Sequence, residues 1–130
     1  EAVDVSAISA TSEAKYFDSA GEVSGTIYFD YDKYDLISSS ITQIRQLAND
    51  FKTNSSMKIR VEGHCDERGT REYNLALGEK RAKAVAEVLI LNGVPSNKIT
   101  TVSYGEEKPV AYGSTEASWA KNRRAELRLL

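Results

Sequence analysis

An alternating run at residues 57–64 constrains the fold of this chain more than any other feature. Apolar or small residues occupy its odd positions, and charged or polar residues occupy its even positions. Successive side chains of a β-strand point to opposite faces, so this period of two predicts a strand. We expect one face of the strand to lie on the core and the other to be exposed to solvent. After a loop, residues 73–92 predict the longest helix, which Asn92-Gly93 ends with Pro95 just beyond.

Shorter patterns predict the remaining elements. β-branched and aromatic residues indicate strands, and apolar residues at helical spacing indicate helices. These are strands at 23–30, 99–104 and 125–129 and helices at 40–52 and 115–122. A serine among Ser38–Ser40 is expected to cap the first helix, and Trp119 in the last is expected to lie in the core. Strands that alternate with helices predict an α/β fold, here a two-layer sandwich of βαβαββ type with a mixed sheet and helices on one face.

The first 22 residues follow neither period. Small and polar residues dominate them, which predicts a flexible N-terminal tether, or a loosely docked arm, ahead of a single domain over residues 23–130. The chain begins at Glu1 without a methionine, which we interpret as processing or shortening.

Composition excludes several classes of function. The formal net charge is −2, whereas a general nucleic-acid binder needs a basic footprint, so we expect no nucleic-acid partner. No apolar run approaches the roughly 20 residues that a membrane-spanning helix needs. The single cysteine excludes an internal disulfide and a zinc site built from several thiolates.

One charge in the long helix lies in an unexpected place. On a helical wheel Arg81 falls inside the apolar arc, whereas Lys80 and Lys83 fall on the opposite side. The arc is formed by Leu77, Ala84, Val85, Val88 and Leu91. A guanidinium directed toward the core needs a partner, because an unpaired buried charge costs several kcal/mol. The candidate partner is Asp66, just past the end of the alternating strand, where α/β sheets usually place their binding sites.

Two interpretations of Asp66 and Arg81 follow. In the first, the two side chains form a structural salt bridge that ties the helix to the strand. In the second, they flank a cleft and bind a zwitterion, with Arg81 binding a carboxylate through its bidentate fork and Asp66 accepting from an ammonium. The periodicity leaves both interpretations open.

Four potential metal ligands occupy consecutive positions 64–67. Adjacent residues at a strand end point in opposite directions and cannot all reach one ion, so we expect no metal site and no cofactor. Cys65 has no suitably spaced histidine to act as its base, since His64 faces the other way. Cys65 is therefore expected to be a small, half-buried filler rather than a nucleophile.

Two further charged clusters are present, and the acidic one has an ordinary and a functional interpretation. The acidic segment with Asp30, Asp32 and Asp35 is a solvated loop in the ordinary one. In the functional one, Tyr31 and Asp32 form the far wall of the same cleft. The basic run at 122–124 is interpreted as a charge set that complements the dipole at a helix C-terminus.

Four separated strings, in this order, carry a resemblance to a known family. They are IYFDYDKYDL, GHCDERGTREYNLALGEKRAKAV, SYGEEKP and KNRRAEL. Together they resemble the OmpA-like peptidoglycan-binding domain over roughly residues 23–130, and within it a lipoprotein subfamily. The resemblance implies an α/β sandwich of the βαβαββ type, in agreement with the periodicity. Cys65 departs from the family, whose members usually have threonine, alanine or serine there.

The resemblance also implies a function. Such domains are not enzymes, and they bind the diaminopimelate residue of a peptidoglycan stem peptide without forming a covalent bond. Asp66 matches the residue that accepts from the ligand ammonium, and Arg81 matches the residue that binds its carboxylate. The other implied ligand-binding residues are Tyr31 and Asp32 at the rim, Asn74 and Leu77 lining and bracing the cleft, and Arg68.

For the whole protein, the resemblance implies a lipoprotein on the periplasmic face of the outer membrane. An N-terminal lipid outside this chain would anchor it, so that it tethers the outer membrane to the cell wall and supports envelope integrity. A partner in the Tol system, a TolB-like periplasmic protein, is implied as well. Two alternatives are a protein–protein adaptor of that system with a purely structural Asp66–Arg81 pair, and a cell-wall hydrolase that uses Asp66 and Glu67 as acid and base.

Overall fold

The computed structural model describes residues 3–4, 22–53 and 56–130. The predicted tether at residues 1–22 lies almost wholly outside the described residues. Where the chain is described, it forms one mixed sheet and three α-helices. The strands are β1 Val3–Asp4, β2 Val23–Tyr28, β3 Ile59–His64, β4 Ile99–Gly105 and β5 Arg124–Leu129; the helices are α1 Ser38–Lys52, α2 Arg71–Leu91 and α3 Glu116–Asn122.

The strand order in the sheet is β1-β4-β3-β5-β2. β3 and β4 run parallel, whereas the pairs β1–β4, β3–β5 and β2–β5 are antiparallel. The parallel pair requires a crossover, which α2 provides. The predicted α/β sandwich with a mixed sheet is therefore confirmed.

The hydrophobic core lies between one face of this sheet and helices α1 and α2. Its fully buried side chains come from strands and from both helices, and they include Ile27, Val61, Ala125, Ile44, Val85 and Leu89. The odd positions of the alternating run lie on this face, as predicted, because Ile59 and Val61 belong to the core.

The opposite face of β3 corrects the sequence-based expectation. Arg60, Glu62 and His64 were expected in solvent but are only 1–2% exposed. Glu62 forms ion pairs with Arg60 of the same strand at 2.6 Å and with Arg128 of the neighbouring strand β5 at 2.9 Å. The prediction of a solvated face is wrong because an alternating pattern shows which residues share a face but not what covers them.

The helix boundaries follow local chemistry, with one exception. Thr70 caps α2 by accepting a hydrogen bond from the backbone N–H of Tyr73 at 3.1 Å, which starts this helix two residues earlier than predicted. α2 ends before Asn92-Gly93, and Gly93 has the positive φ of 99° that favours glycine. The predicted serine cap of α1 is wrong, since the N-cap is Ile37 and no side chain caps this helix.

Two glycines determine how closely α2 approaches β3. A Cβ atom built at Gly63 would lie 1.7 Å from the carbonyl oxygen of Gly78, which is closer than atoms can pack. A Cβ atom at Gly78 would lie 2.4 Å from the hydroxyl of Ser103 on β4. The first turns of α2 therefore lie directly on the end of β3, where the predicted site residues are found.

Candidate functional site

The predicted site residues surround one cleft at the end of β3. The cleft has a volume of about 200 Å³, and its lining includes all seven of them: Tyr31, Asp32, Asp66, Arg68, Asn74, Leu77 and Arg81. Cys65, Gly69 and Tyr73 complete the lining. The structure thus brings together residues from the loop after β2, the loop after β3 and helix α2, although their role in binding stays a prediction.

Arg81 is buried, as the helical wheel indicates, with 1% of its surface exposed. Its guanidinium donates to three backbone carbonyls, those of Lys33 at 2.8 Å, His64 at 2.8 Å and Asp30 at 3.0 Å. These bonds use three of the five N–H groups of a guanidinium. Arg81 therefore joins the loop after β2 to the end of β3 and retains two donors.

Asp66 is paired with a different residue. Its carboxylate accepts from the side chain of Arg68 at 2.8 and 3.2 Å and from the backbone N–H of Arg68 at 3.0 Å. Arg123 lies 3.6 Å from the same carboxylate. Across the described parts of the chain, no ion pair joins Asp66 to Arg81. The structural salt bridge considered above is therefore wrong, and so is the adaptor hypothesis in the form that depends on it.

The environment of Asp66 keeps it ionised. Burial raises the pKa of this carboxyl, but the hydrogen bonds and positive charge of Arg68, together with the charge of Arg123, outweigh burial and hold the pKa below its usual value. The cleft thus combines a buried anion, Asp66, with a buried cation, Arg81. The two side chains do not bond to each other, and each has its own partners.

Arg68 lies between two aromatic rings. Its guanidinium carbon is 3.9 Å from the ring centroid of Tyr31 and 3.9 Å from that of Trp119. Such contacts stabilise a cation on an aromatic face. The indole N–H of Trp119 donates to Glu67 at 3.0 Å, which fixes the orientation of its ring. The expectation that Trp119 lies in the core is wrong, because its half-buried ring packs on Arg68.

Asn74 braces the loop after β3. Its side-chain amide donates to the carboxylate of Glu106 at 2.7 Å and to the backbone carbonyl of Arg68 at 3.0 Å, with a longer contact of 3.4 Å to the carbonyl of Asp66. Leu77, one turn further along α2, adds an apolar side chain that is 8% exposed. These contacts agree with the lining and bracing positions that the resemblance implies.

The rim of the cleft is formed by Tyr31 and Asp32. Tyr31 is 54% exposed, and Asp32 has a φ of 56°, a left-handed conformation that turns the chain sharply. The carboxylate of Asp32 accepts from the hydroxyl of Tyr73, and this hydrogen bond raises the pKa of Tyr73. For Asp32, the geometry therefore supports the functional interpretation, in which this residue lines the cleft.

Sequence reasoning missed three residues of this region. Tyr73 precedes Leu77 and Arg81 by one and two helical turns, so the wheel could have placed it on the cleft. No local sequence pattern indicated that Trp119 lies beside the cleft. Arg123 was interpreted as part of a charge set at a helix C-terminus; it is 6% exposed and donates to the carbonyl of Phe29 at 2.9 Å and to Glu116 at 2.8 Å.

Cys65 forms part of the cleft floor. It was expected to be half-buried but is 3% exposed, and its thiol donates to the carbonyl of Asn74 at 3.2 Å. Burial raises the pKa of the Cys65 thiol to about 11. The thiol therefore stays protonated near neutral pH and is a poor nucleophile.

A second cluster, on the opposite face of the sheet, has the spacing of a metal site. The ligand atoms of Glu62, His64 and Glu126 lie within 4.8 Å of one another. However, Glu126 is paired with Arg124 at 2.7 Å and Glu62 with Arg128 at 2.9 Å. Burial, aided by the positive charge of Arg124, lowers the pKa of His64. Cations already neutralise both carboxylates, so this cluster is poorly suited to bind a metal ion.

Comparison with known proteins identifies the family. Residues 28–123 match the sequence profile of the OmpA family. The chain belongs to the OmpA family. Among its curated relatives is the peptidoglycan-associated lipoprotein of Pseudomonas putida, 53% identical over 103 residues, which are 79% of this chain and 61% of that protein. The protein of the same name from Pasteurella multocida is 40% identical over 135 residues, covering 95% of this chain and 90% of that protein.

Solved structures agree with this assignment to the OmpA family. The crystal structure of the peptidoglycan-associated lipoprotein from Burkholderia pseudomallei has 48% sequence identity and a TM-score of 0.79, and the match covers 81% of this chain and 89% of that one. The C-terminal domain of Helicobacter pylori MotB, at 24% identity and a TM-score of 0.76, shares the fold. The prediction that the domain is not an enzyme agrees with its membership of the OmpA family.

Two facts bound what these matches imply for the whole protein. The chain spans 61% of the length of the Pseudomonas putida relative. Within the described residues, none of the helices is long and apolar enough to cross a membrane.

Proposed function

We propose that this domain binds peptidoglycan non-covalently by recognising the free zwitterionic end of a diaminopimelate residue in a stem peptide. One observation carries the proposal: a buried carboxylate, Asp66, and a buried guanidinium, Arg81, line the same cleft without pairing with each other. Diaminopimelate carries an ammonium and a carboxylate on the carbon at its far end, so its charges complement those of the cleft.

The proposed contacts use the groups that the cleft provides. Arg81 keeps two N–H donors after bonding three carbonyls, and it would donate them to the ligand carboxylate. Asp66 would accept from the ligand ammonium. Leu77 and the ring of Tyr31 offer apolar contact to the ligand's methylene chain. No bond is made or broken, and specificity comes from two opposite charges at a set separation.

For the whole protein, we propose a lipid-anchored component of the outer membrane that faces the periplasm and attaches that membrane to the cell wall. The names of the relatives, which state association with peptidoglycan and a lipoprotein character, support this proposal. A TolB-like periplasmic partner belongs to the same proposal and rests on the family resemblance alone. Its test is a binding measurement with the purified partner, with and without a diaminopimelate peptide.

Calorimetric titration of the chain with a tripeptide ending in diaminopimelate tests the ligand. The same peptide with the far carboxylate amidated removes the partner of Arg81, and we expect its affinity to be at least roughly thirtyfold weaker, since unpairing a buried charge costs about 2–5 kcal/mol. Asp66→Asn, which removes the charge with little change of shape, should lose affinity to a similar extent.

Asp35→Asn is the matched control, because Asp35 is exposed in the loop after β2 and does not line the cleft. Equal affinity of the native and amidated peptides would refute the proposed contact with Arg81. Incubation with purified sacculi tests the hydrolase alternative, since soluble muropeptides in the supernatant would contradict a purely binding role.

A further inference from the structure

The carboxylate that would bind the ligand ammonium already accepts three hydrogen bonds. Both oxygens of Asp66 accept from Arg68, through two side-chain bonds and one backbone bond. A carboxylate offers about four acceptor positions, so three are used. Arg123, at 3.6 Å from Oδ2, lies near the fourth. An ammonium that approaches Asp66 therefore competes with the donors of Arg68 for these oxygens.

The guanidinium of Arg68 is itself bound as a cationic ligand would be. It pairs with a buried anion through two nitrogens and lies 3.9 Å from the ring centroids of both Tyr31 and Trp119. Aromatic faces on both sides of a cation are a usual arrangement for recognising organic cations. Yet the Arg68 side chain is 30% exposed, so it has a path into solvent. Arg123, the other cation close to Asp66 among the described residues, is 6% exposed.

We propose that Arg68 is an internal competitor for the ammonium site and thereby determines which ligands bind. In the free protein the Arg68 guanidinium is bound to the Asp66 carboxylate. When a ligand ammonium binds to that carboxylate, the guanidinium moves away. This inference rests on the proposed function. Displacement makes every ammonium ligand weaker by a constant factor. A ligand with an amine alone falls below detectable binding, whereas a zwitterion compensates through its additional bonds to Arg81.

Two peptides that differ only at the far end of one residue separate these effects. One carries diaminopimelate, and the other carries lysine, which has the same amine without the carboxylate. The variants are Arg68→Ala and Arg68→Lys, with Arg45→Ala on the exposed side of α1 as the control. We expect Arg68→Ala to bind the diaminopimelate peptide about tenfold more tightly and to bring binding of the lysine peptide into the measurable range, as the loss of a charged hydrogen-bonded competitor predicts. Arg68→Lys should be intermediate and Arg45→Ala unchanged.

Trp119 reports on the displacement directly. It is the only tryptophan of the chain, and its ring lies against the guanidinium that is proposed to move. Binding of the diaminopimelate peptide should change the emission of the wild-type protein. In Arg68→Ala, binding should proceed without that change. Circular dichroism of each variant verifies that it is folded.

The outcomes distinguish this inference from the proposed function. If the wild-type chain does not bind the diaminopimelate peptide, the proposed function fails and the competitor role fails with it. If the wild type binds but Arg68→Ala binds equally or more weakly, only the competitor role is overturned, and Arg68 is then a ligand contact or a bystander. Unchanged Trp119 emission on wild-type binding would also overturn it.

Discussion

Replacing Arg81 by alanine should destabilise the fold as well as remove a proposed ligand contact. The guanidinium donates to three backbone carbonyls, two in the loop after β2 and one at the end of β3. Alanine supplies no donor, so each carbonyl must find water or stay unsatisfied. A loss of ligand binding in this variant is thus ambiguous until its stability is known.

The magnitude can be worked out from the surroundings of each carbonyl. Asp30 and Lys33 are exposed, so water can replace the lost bonds, and each loss costs about 0.5–1.5 kcal/mol. His64 is 2% exposed, and its unsatisfied carbonyl costs about 1–3 kcal/mol. Burial of the Arg81 charge, which lowers its pKa, is relieved in the variant and offsets part of this. We expect a net loss of about 3 kcal/mol, or roughly 10 °C in Tm for a domain of this size.

Urea denaturation at neutral pH, followed by circular dichroism, measures this loss. Arg81→Lys should recover part of it, because an ammonium reaches fewer of the three carbonyls than a planar fork does. Lys83→Ala is the matched control, since Lys83 lies on the exposed side of α2 and forms only a surface pair with Glu79. A free energy of unfolding for Arg81→Ala within about 0.5 kcal/mol of wild type would refute the structural role assigned to these bonds.

Three further predictions concern stability and reactivity. Because burial lowers the folded-state pKa of His64, the unfolded chain binds its proton first, so the free energy of unfolding should fall by up to about 1.4 kcal/mol per pH unit as the pH drops below about 6.5. Urea titrations across this range should show the slope in wild type and lose it in His64→Gln; an unaltered slope would contradict the assignment. The Cys65 thiol, with a pKa of about 11, should react with a disulfide reagent near pH 8 about a hundredfold more slowly in the folded than in the urea-unfolded chain, and equal rates would show that it is accessible. Gly63→Ala should lower stability by more than about 4 kcal/mol, because its Cβ would meet the Gly78 carbonyl at 1.7 Å; a wild-type Tm would exclude that contact.

Periodicity and local chemistry predicted much of the fold. Alternation at 57–64 predicted β3, and helical spacing with Asn92-Gly93 predicted α2 and its end. The wheel placed Arg81 on a buried face, and the structure agrees. These features depend on residues within a few positions of one another, so a single sequence contains the information they need.

The partners of the buried charges depended on tertiary structure. Asp66 lines the same cleft as Arg81, yet it pairs with Arg68, two residues further along the chain, and the sequence alone did not distinguish between these two partners. Trp119 approaches Arg68 from a different element, and no local pattern linked them. The charges at the even positions of β3 are compensated by ion pairs within β3 and with β5. A sequence pattern shows which way a side chain points, whereas the group that it meets is determined by distant segments that only the folded chain brings together.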